Sequence, residues 1–391
     1  MSITAAQGFV AAGVAAGLKS TGARDVAVVV NEGPERIAAG VFTTNRICAA
    51  PVTWSRQVVA DGRVDAVILN SGGANAATGP EGFADTHRTA EHLAASLAAT
   101  GRDVSSGDVA VCSTGLIGVR LDMEALLSGA DAAVAGLSEG GGDDAAHAIM
   151  TTDTVAKQAV AGGDGWTVGG MAKGAGMLAP GMATMLCVVT TDASLTAERA
   201  DAALRAATGV TLNRVDSDGC MSTNDTVLLL ASGASRIVPG PGEFEAALTD
   251  VLASLARGLV ADAEGASHDI AVTVENATTE AAAEAVARAI TRSNLFKAAI
   301  FGKDPNWGRV ISAAGTVPEE VAPFDPALID VHINGVQVCR GGGVGDPREL
   351  VDLEPREVQV RVDLHAGGAS ATVWTNDLTH DYVHENSAYS S

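Results

Sequence analysis

Short runs of β-branched residues alternate along this chain with segments whose apolar residues recur every three or four positions. That alternation restricts it to layers of sheet and helix. Asp25–Asn31 (DVAVVVN), Val64–Asn70 (VDAVILN) and Asp108–Ser113 (DVAVCS) read as strands. Gly82–Thr100 and Leu121–Leu137 read as helices, and a short helix ends near Met150 after a turn at Ser138–Asp144. Trp166–Gly170 resembles a short strand. In the second half, strand signals fall at Thr184–Thr191, Asp225–Leu230, Asp269–Glu275, Val358–Leu364 and Ala369–Trp374. Helix signals fall at Ser194–Thr208, Glu243–Leu259 and Thr279–Thr291, and Gly341–Pro347 reads as a loop. With only seven Phe, four Trp and two Tyr in 391 residues, the core must be built from Ala, Val, Leu and Ile. The 45 Gly suit close backbone packing and tight turns. No repeat or low-complexity linker marks a domain boundary.

Charge removes several classes of function. The 25 Lys+Arg stand against 47 Asp+Glu, a net charge of −22, so no cationic face for nucleic acid or an anionic membrane is expected. No run of 18 apolar residues forms a spanning helix. The first residues, MSITAAQGFVAAGVAAGLKS, have a faint signal-peptide look but lack a basic start, the first Lys being Lys19. Five scattered Cys without CxxC spacing fit a reducing, cytoplasmic setting better than a disulfide framework or zinc site.

One segment carries chemistry. In Gly170–Thr191, GMAKGAGMLAPGMATMLCVVTT, a loop rich in Gly runs straight into an apolar strand whose first residue is Thr184. On residue types alone the plain reading, a Gly/Pro loop feeding a buried strand, stands first. The sharper reading is self-cleavage between Ala183 and Thr184. The Thr hydroxyl attacks the preceding carbonyl, and ester hydrolysis frees an amine that serves as base for that same hydroxyl.

The stretch KGAGMLAPGMATML is similar to the signature of ornithine acetyltransferases, also called glutamate N-acetyltransferases or arginine-biosynthesis bifunctional proteins. Further segments resemble that family in its order: Gln7–Gly17, Asn70–Gly79, Ser113–Gly118, Met150–Thr154, Asp218–Thr226, Ala263–Ser267, Phe301–Arg309 and the tail Asp377–Ser391. The resemblance spans essentially the whole chain. It implies a layered α/β sandwich with a smaller C-terminal α/β domain. It also implies cleavage at Ala183–Thr184 into an α piece, 1–183, and a β piece, 184–391, both contributing to the larger domain, and assembly as a heterotetramer of two of each.

By position, the resemblance makes Thr184 the nucleophile and Thr114 and Gly115 the oxyanion hole. It makes Thr151, Lys173, Thr184, Glu264, Asn386 and Ser391 the substrate contacts; Thr151 is the loosest match because Thr152 adjoins it. These roles are chemically apt. A hydroxyl and a backbone N–H can face a developing oxyanion, Lys173 can pair with an amino-acid carboxylate, and Glu264 can accept its ammonium. The implied reaction moves acetyl from N2-acetylornithine to glutamate through an acetyl-enzyme. No cofactor and no metal are expected, acetyl-CoA entering only as an alternative acetyl donor. The competing reading is an amide hydrolase or aminopeptidase on the same self-cleaving scaffold, with water as acceptor. An uncleaved amino-acid-binding protein is a third.

The chain departs from the family's usual NSGNANACTG in having Gly73 and Ala77, which touches local packing more than mechanism. Three lookalikes carry little. His380 and His384 have helical spacing but no HExxH pattern, Asp216–Gly219 lacks the later calcium-loop ligands, and Gly341–Gly345 has no phosphate-loop Lys. Strand alternation places Cys187 on the opposite face from Thr184.

Overall fold

The computed structural model describes residues 3–179 and 185–388. The chain divides into two units. The first comprises the chain up to Asn213 together with Cys220–Leu259, and the second comprises Arg214–Gly219 and Val260–Ser390.

Among the described residues the first unit holds nine strands: β1 (Phe9–Val14), β2 (Val26–Asn31), β3 (Ile37–Phe42), β4 (Ala66–Ser71), β5 (Val109–Thr114), β6 (Lys157–Gly163), β7 (Trp166–Lys173), β8 (Leu186–Thr191) and β9 (Thr226–Ala231). Its helices are α1 (Ala50–Val58), α2 (Gly79–Ala99), α3 (Met123–Ala135), α4 (Gly142–Ala148), α5 (Ala197–Val210) and α6 (Glu243–Ala261). Two sheets form, in the orders β1-β2-β4-β5 and β3-β9-β8-β7-β6. Their inner faces share one core: Val29, Leu69 and Cys112 of the first meet Met171, Val188 and Leu228 of the second. The other face of the four-stranded sheet packs Val28, Ile68 and Val111 against Leu93 and Leu97 of α2 and Leu126 and Val134 of α3. The outer face of the five-stranded sheet meets α6, whose Val251 and Leu255 lie over Gly170. Strands buried on both faces explain why β2, β4, β5, β8 and β9 read as near-continuous apolar runs rather than alternating ones.

Helix starts follow their caps. The Asp122 carboxylate accepts the N–H groups of Glu124 and Ala125 to open α3, and the Thr196 hydroxyl accepts that of Arg199 to open α5.

The second unit is one sheet, order β13-β12-β11-β14-β10-β15. Its strands are β10 (Asp269–Ala277), β11 (Asp330–Ile333), β12 (Val336–Arg340), β13 (Gly343–Val344), β14 (Glu357–Asp363) and β15 (Ala369–Asn376). Helices α7 (Glu280–Thr291), α8 (Asn294–Phe301) and α9 (Trp307–Ala314) supply Val286, Ile290, Phe296 and Val310 to its core. Burial alternates along β14, so this sheet is covered on one face. The tail from His380 to Ala388 forms α10.

The signal-like start is a strand instead. β1 pairs antiparallel with β2, and a Cβ on Gly13 would lie 2.0 Å from the Asp144 carbonyl oxygen of α4. Gly and Ala there permit close packing of a helix on a strand. The layered α/β reading with a second, smaller α/β body matches this architecture.

Candidate functional site

Thr114 ends β5, and the chain beyond it is laced to the loop after β4. Gly73 N–H donates to the Thr114 carbonyl at 3.0 Å, Ala74 N–H to Leu116 at 2.9 Å, and Gly118 N–H to Ala76 at 2.9 Å. Gly115 lies between them at φ +130°, and a Cβ there would sit 2.6 Å from the Gly73 nitrogen. Only glycine fits this close backbone approach in this conformation. Asn224, just before β9, secures the same loops, its amide donating to the carbonyls of Ala74 (2.6 Å) and Ser113 (2.8 Å).

Lys173 ends β7 and is buried. Its Nζ donates to the Thr114 hydroxyl at 3.3 Å. Asp153 is the hub behind it. Its carboxylate accepts Lys157 Nζ at 2.6 Å, the Gly174 N–H at 2.6 Å and the Thr151 N–H at 2.9 Å, with Lys173 Nζ 4.0 Å away. Burial opposes the charge on Asp153, but Lys173 and Lys157 outweigh it and hold the carboxyl at about 2. Lys19, half-buried, adds a third cation whose charge reaches Lys173 and Asp153; burial, more than these neighbours, lowers its affinity for a proton. Three lysines thereby gather around one carboxylate in a chain of net charge −22.

The mouth of β8 closes the group. Leu186 pairs with Lys173 on one side and Thr226 on the other. Met185 N–H donates to Asp225 Oδ1 at 3.0 Å, and Thr226 N–H to the Met185 carbonyl at 3.1 Å. Asp225 is fully buried, with the Ser222 and Thr43 hydroxyls beside its carboxyl. Burial pushes this carboxyl well above the ordinary range, more strongly than the Met185 N–H and the Lys173 charge pull it down.

Of the residues singled out from sequence, Thr114, Gly115, Thr151 and Lys173 therefore meet in the first unit. In the second unit Asn386 on α10 donates to Glu264 Oε2 at 3.0 Å. The loop carrying Glu264 is anchored there: the Asp377 carboxylate takes the N–H groups of Ser267 and His268, and the Thr379 hydroxyl donates to Gly265. Ala183, Thr184 and Ser391 lie outside the described residues, as does the bond between the first two.

Sequence reasoning passed over Asp153, Lys157, Asn224 and Asp225. Asp153 stands in Met150–Thr154 and the last two in Asp218–Thr226, segments used only to trace the resemblance. A charged or amide side chain inside an otherwise apolar, small-residue segment was the available signal.

The lookalikes have other duties. Asp216 accepts Arg292 Nε at 2.8 Å and faces Arg288. Cys187 is buried in β8, which raises its thiol above the usual range and leaves no thiolate. Gly343–Val344 is the short strand β13, within the stretch read as a loop.

Comparison with known proteins adds an independent line. The model of the ArgJ family matches residues 10–391. The arginine biosynthesis bifunctional protein ArgJ of Streptomyces coelicolor is 63% identical over 391 residues, covering all of both chains. That of Thermobifida fusca is 62% identical over the same span, again covering all of both. Among solved structures, ornithine acetyltransferase from Mycobacterium tuberculosis complexed with ornithine is 62% identical. It matches 46% of this chain and 94% of its own, with a TM-score of 0.45.

Proposed function

The chain belongs to the ArgJ family of arginine-biosynthesis acyltransferases, and from that premise we propose that it transfers acetyl from N2-acetylornithine to glutamate through a Thr184 acetyl-enzyme. The observation that carries the reading is the buried Lys173 amine, 3.3 Å from the Thr114 hydroxyl at the end of the strand leading back to β8.

Self-cleavage at Ala183–Thr184 frees the Thr184 amine. An α-amino group has an ordinary pKa of about 7.7–8.0, so a minority is neutral at pH 7 and able to take the hydroxyl proton. A cation near the amine would disfavour a further positive charge and increase that minority. Thr184 Oγ attacks the acetyl carbonyl, its proton passes to the amine, and the oxyanion is met by the Thr114 hydroxyl and the Gly115 N–H. One such donor is worth on the order of 10²–10³ in rate. Collapse expels the ornithine amine, which takes the proton back. Glutamate then attacks the acetyl ester by the same steps in reverse.

Both substrates are amino acids, and both need a carboxylate partner. Lys173 supplies it, standing 4.0 Å from the Asp153 carboxylate, while Thr151 is tied to the same carboxylate through its N–H. Glu264 is assigned the substrate ammonium, with Asn386 fixing its rotamer, and Ser391 the remaining contact. Acetyl-CoA is assigned as a second acetyl donor, a substrate rather than a resident cofactor. The working enzyme is a cytoplasmic heterotetramer of α and β pieces; among the described residues no helix is long and apolar enough to cross a membrane.

The acyl-enzyme separates the two half-reactions, so initial rates plotted against both substrates should give parallel double-reciprocal lines. Acetyl should appear on the Thr184 peptide when glutamate is withheld. Intersecting lines without an acetylated peptide would exclude the mechanism. Steady acetate release indifferent to glutamate would make the enzyme a hydrolase.

A further inference from the structure

Helix α10 carries Asn386, yet none of the side chains it presents is buried. Packing of an apolar face, which fixes most helices in proteins, therefore does little for this one, and its place is set from its base. The His380 ring packs on Phe301, with centroids 5.4 Å apart. The Thr379 hydroxyl donates to the Gly265 carbonyl at 2.6 Å and accepts the Tyr382 N–H at 2.9 Å. One side chain thus caps the helix and ties it to the loop bearing Glu264.

Asp377, just before the helix, is the stronger attachment. Its Oδ1 accepts the N–H groups of Ser267 and His268, both at 2.9 Å. Its Oδ2 accepts from His268 Nδ1 at 2.7 Å, and the Ser267 hydroxyl donates to the same oxygen. On its far side the His268 ring faces the Leu353 carbonyl, 3.1 Å from Nε2. Both partners are buried, the side chain of His268 being 7% exposed and that of Asp377 0%. His268 leads directly into β10, and Leu353 lies on the approach to β14, the parallel neighbour of β10. The ring therefore fastens the root of the tail to two adjoining strands.

Loop and helix meet as one piece. Gly265 stands at φ +60°, where a Cβ would lie 2.2 Å from the Tyr382 nitrogen, so backbone rests on backbone. Beside that contact the Asn386 amide donates to Glu264 Oε2 and to the Tyr382 carbonyl, each at 3.0 Å. Resting on the reading of Glu264 and Asn386 as substrate contacts, we propose that His268 is the positioning residue of the ammonium subsite. By holding Asp377 it sets where Glu264 and Asn386 stand, and it touches no substrate itself. The α-nitrogen of N2-acetylornithine is acetylated, so its one ammonium is on the side chain. His268 thereby acts on the choice of acetyl donor and not on the acetyl chemistry. A carboxylate displaced by about 1 Å loses much of its charge-assisted hydrogen bond to such a group.

The test compares N2-acetylornithine with N2-acetylnorvaline, which lacks only the side-chain ammonium, as acetyl donors to glutamate. Wild type, Glu264→Gln, His268→Gln and His268→Asn are assayed side by side. The Asn amide stands where Nδ1 stood and keeps a donor for Asp377; the Gln amide reaches instead toward Leu353. His268→Gln should raise the KM for N2-acetylornithine by about 10-fold or more, with its kcat, and kcat/KM for N2-acetylnorvaline, within about twofold of wild type. His268→Asn should keep most of the preference for N2-acetylornithine. A His268→Gln enzyme with the wild-type preference would overturn the proposal. An equal loss on both donors would overturn it too, by making His268 a packing element, as would a His268→Asn enzyme as impaired as His268→Gln. Wild-type preference in Glu264→Gln would instead remove the ammonium reading of Glu264, and the positioning role with it.

Discussion

Replacing Asp153 by Asn isolates the electrostatic hub. The carboxylate accepts Lys157 Nζ at 2.6 Å and two backbone N–H groups, and stands 4.0 Å from Lys173 Nζ. Its carboxyl is held at about 2 against an ordinary 3.8. At 1.36 kcal/mol per unit this shift contributes about 2 kcal/mol of stability at neutral pH. The substitution also removes the carboxylate that Lys157 contacts and Lys173 faces, which brings the expected loss to about 3–5 kcal/mol. In a unit of this size the melting temperature should drop on the order of 10 °C. A depressed carboxyl stabilises above its unfolded pKa and loses that contribution as pH falls toward its folded value. The gap between wild type and Asp153→Asn should therefore be full at pH 7 and at pH 5. It should shrink below pH 4, with about 1 kcal/mol of it gone by pH 3. Urea denaturation of both proteins at these pH values reads the gap directly. The Michaelis constant for N2-acetylornithine should rise alongside, since Lys173 loses its support. A gap as large at pH 3 as at pH 7, or one below about 1 kcal/mol at pH 7, would show that Asp153 is not a charged hub.

Gly115→Ala should lower kcat for acetyl transfer by about 10²-fold or more, because its Cβ would meet the Gly73 nitrogen at 2.6 Å and displace the N–H assigned to the oxyanion; steady-state kinetics checks it, and an unchanged kcat would remove Gly115 from the oxyanion hole. Asn224→Ala should cost about 2–4 kcal/mol, because the carbonyls of Ala74 and Ser113 lose the amide that binds them at 2.6 and 2.8 Å; a melting curve matching wild type would show that the loops hold without it. Gly73→Asn, which restores the amide usual in the family, should change stability by less than about 1 kcal/mol, because the new Cβ would meet only the end of the Leu121 side chain, at 2.7 Å; a large loss in chemical denaturation would show that Leu121 cannot move.

The legible parts of the fold were those with strong periodicity. Val26–Asn31 and Ala66–Ser71 carry β-branched residues that declare a strand, and Gly79–Ala99 repeats its apolar face over five turns. Phe9–Val14 and Ile37–Phe42 were opaque because Ala and Gly dominate them; they are strands through pairing with β2 and β9, not through propensity. The helices α8 and α9 are eight residues each, too short for a periodic signal, and are marked mainly by the caps Ser293 and Asn306. In the site, Thr114, Gly115 and Lys173 were reachable through the resemblance, and the geometry brings Thr114 and Lys173 within 3.3 Å. Asp153 and Asp225 were not, because a carboxylate in a sequence looks like surface until burial and partners are known. Their importance lies in residues 20 and 40 positions away, Lys173 for one and Met185 for the other.

Whether Thr184 becomes an N-terminal nucleophile is read by the intact mass of freshly purified wild type beside Thr184→Ala. Wild type should give two pieces, 1–183 and 184–391, and the variant one whole chain. Acetyl from N2-acetylornithine should add to the second piece alone. A wild-type chain that stays whole yet transfers acetyl would contradict it, since Thr184 would then have no free amine to act as its base.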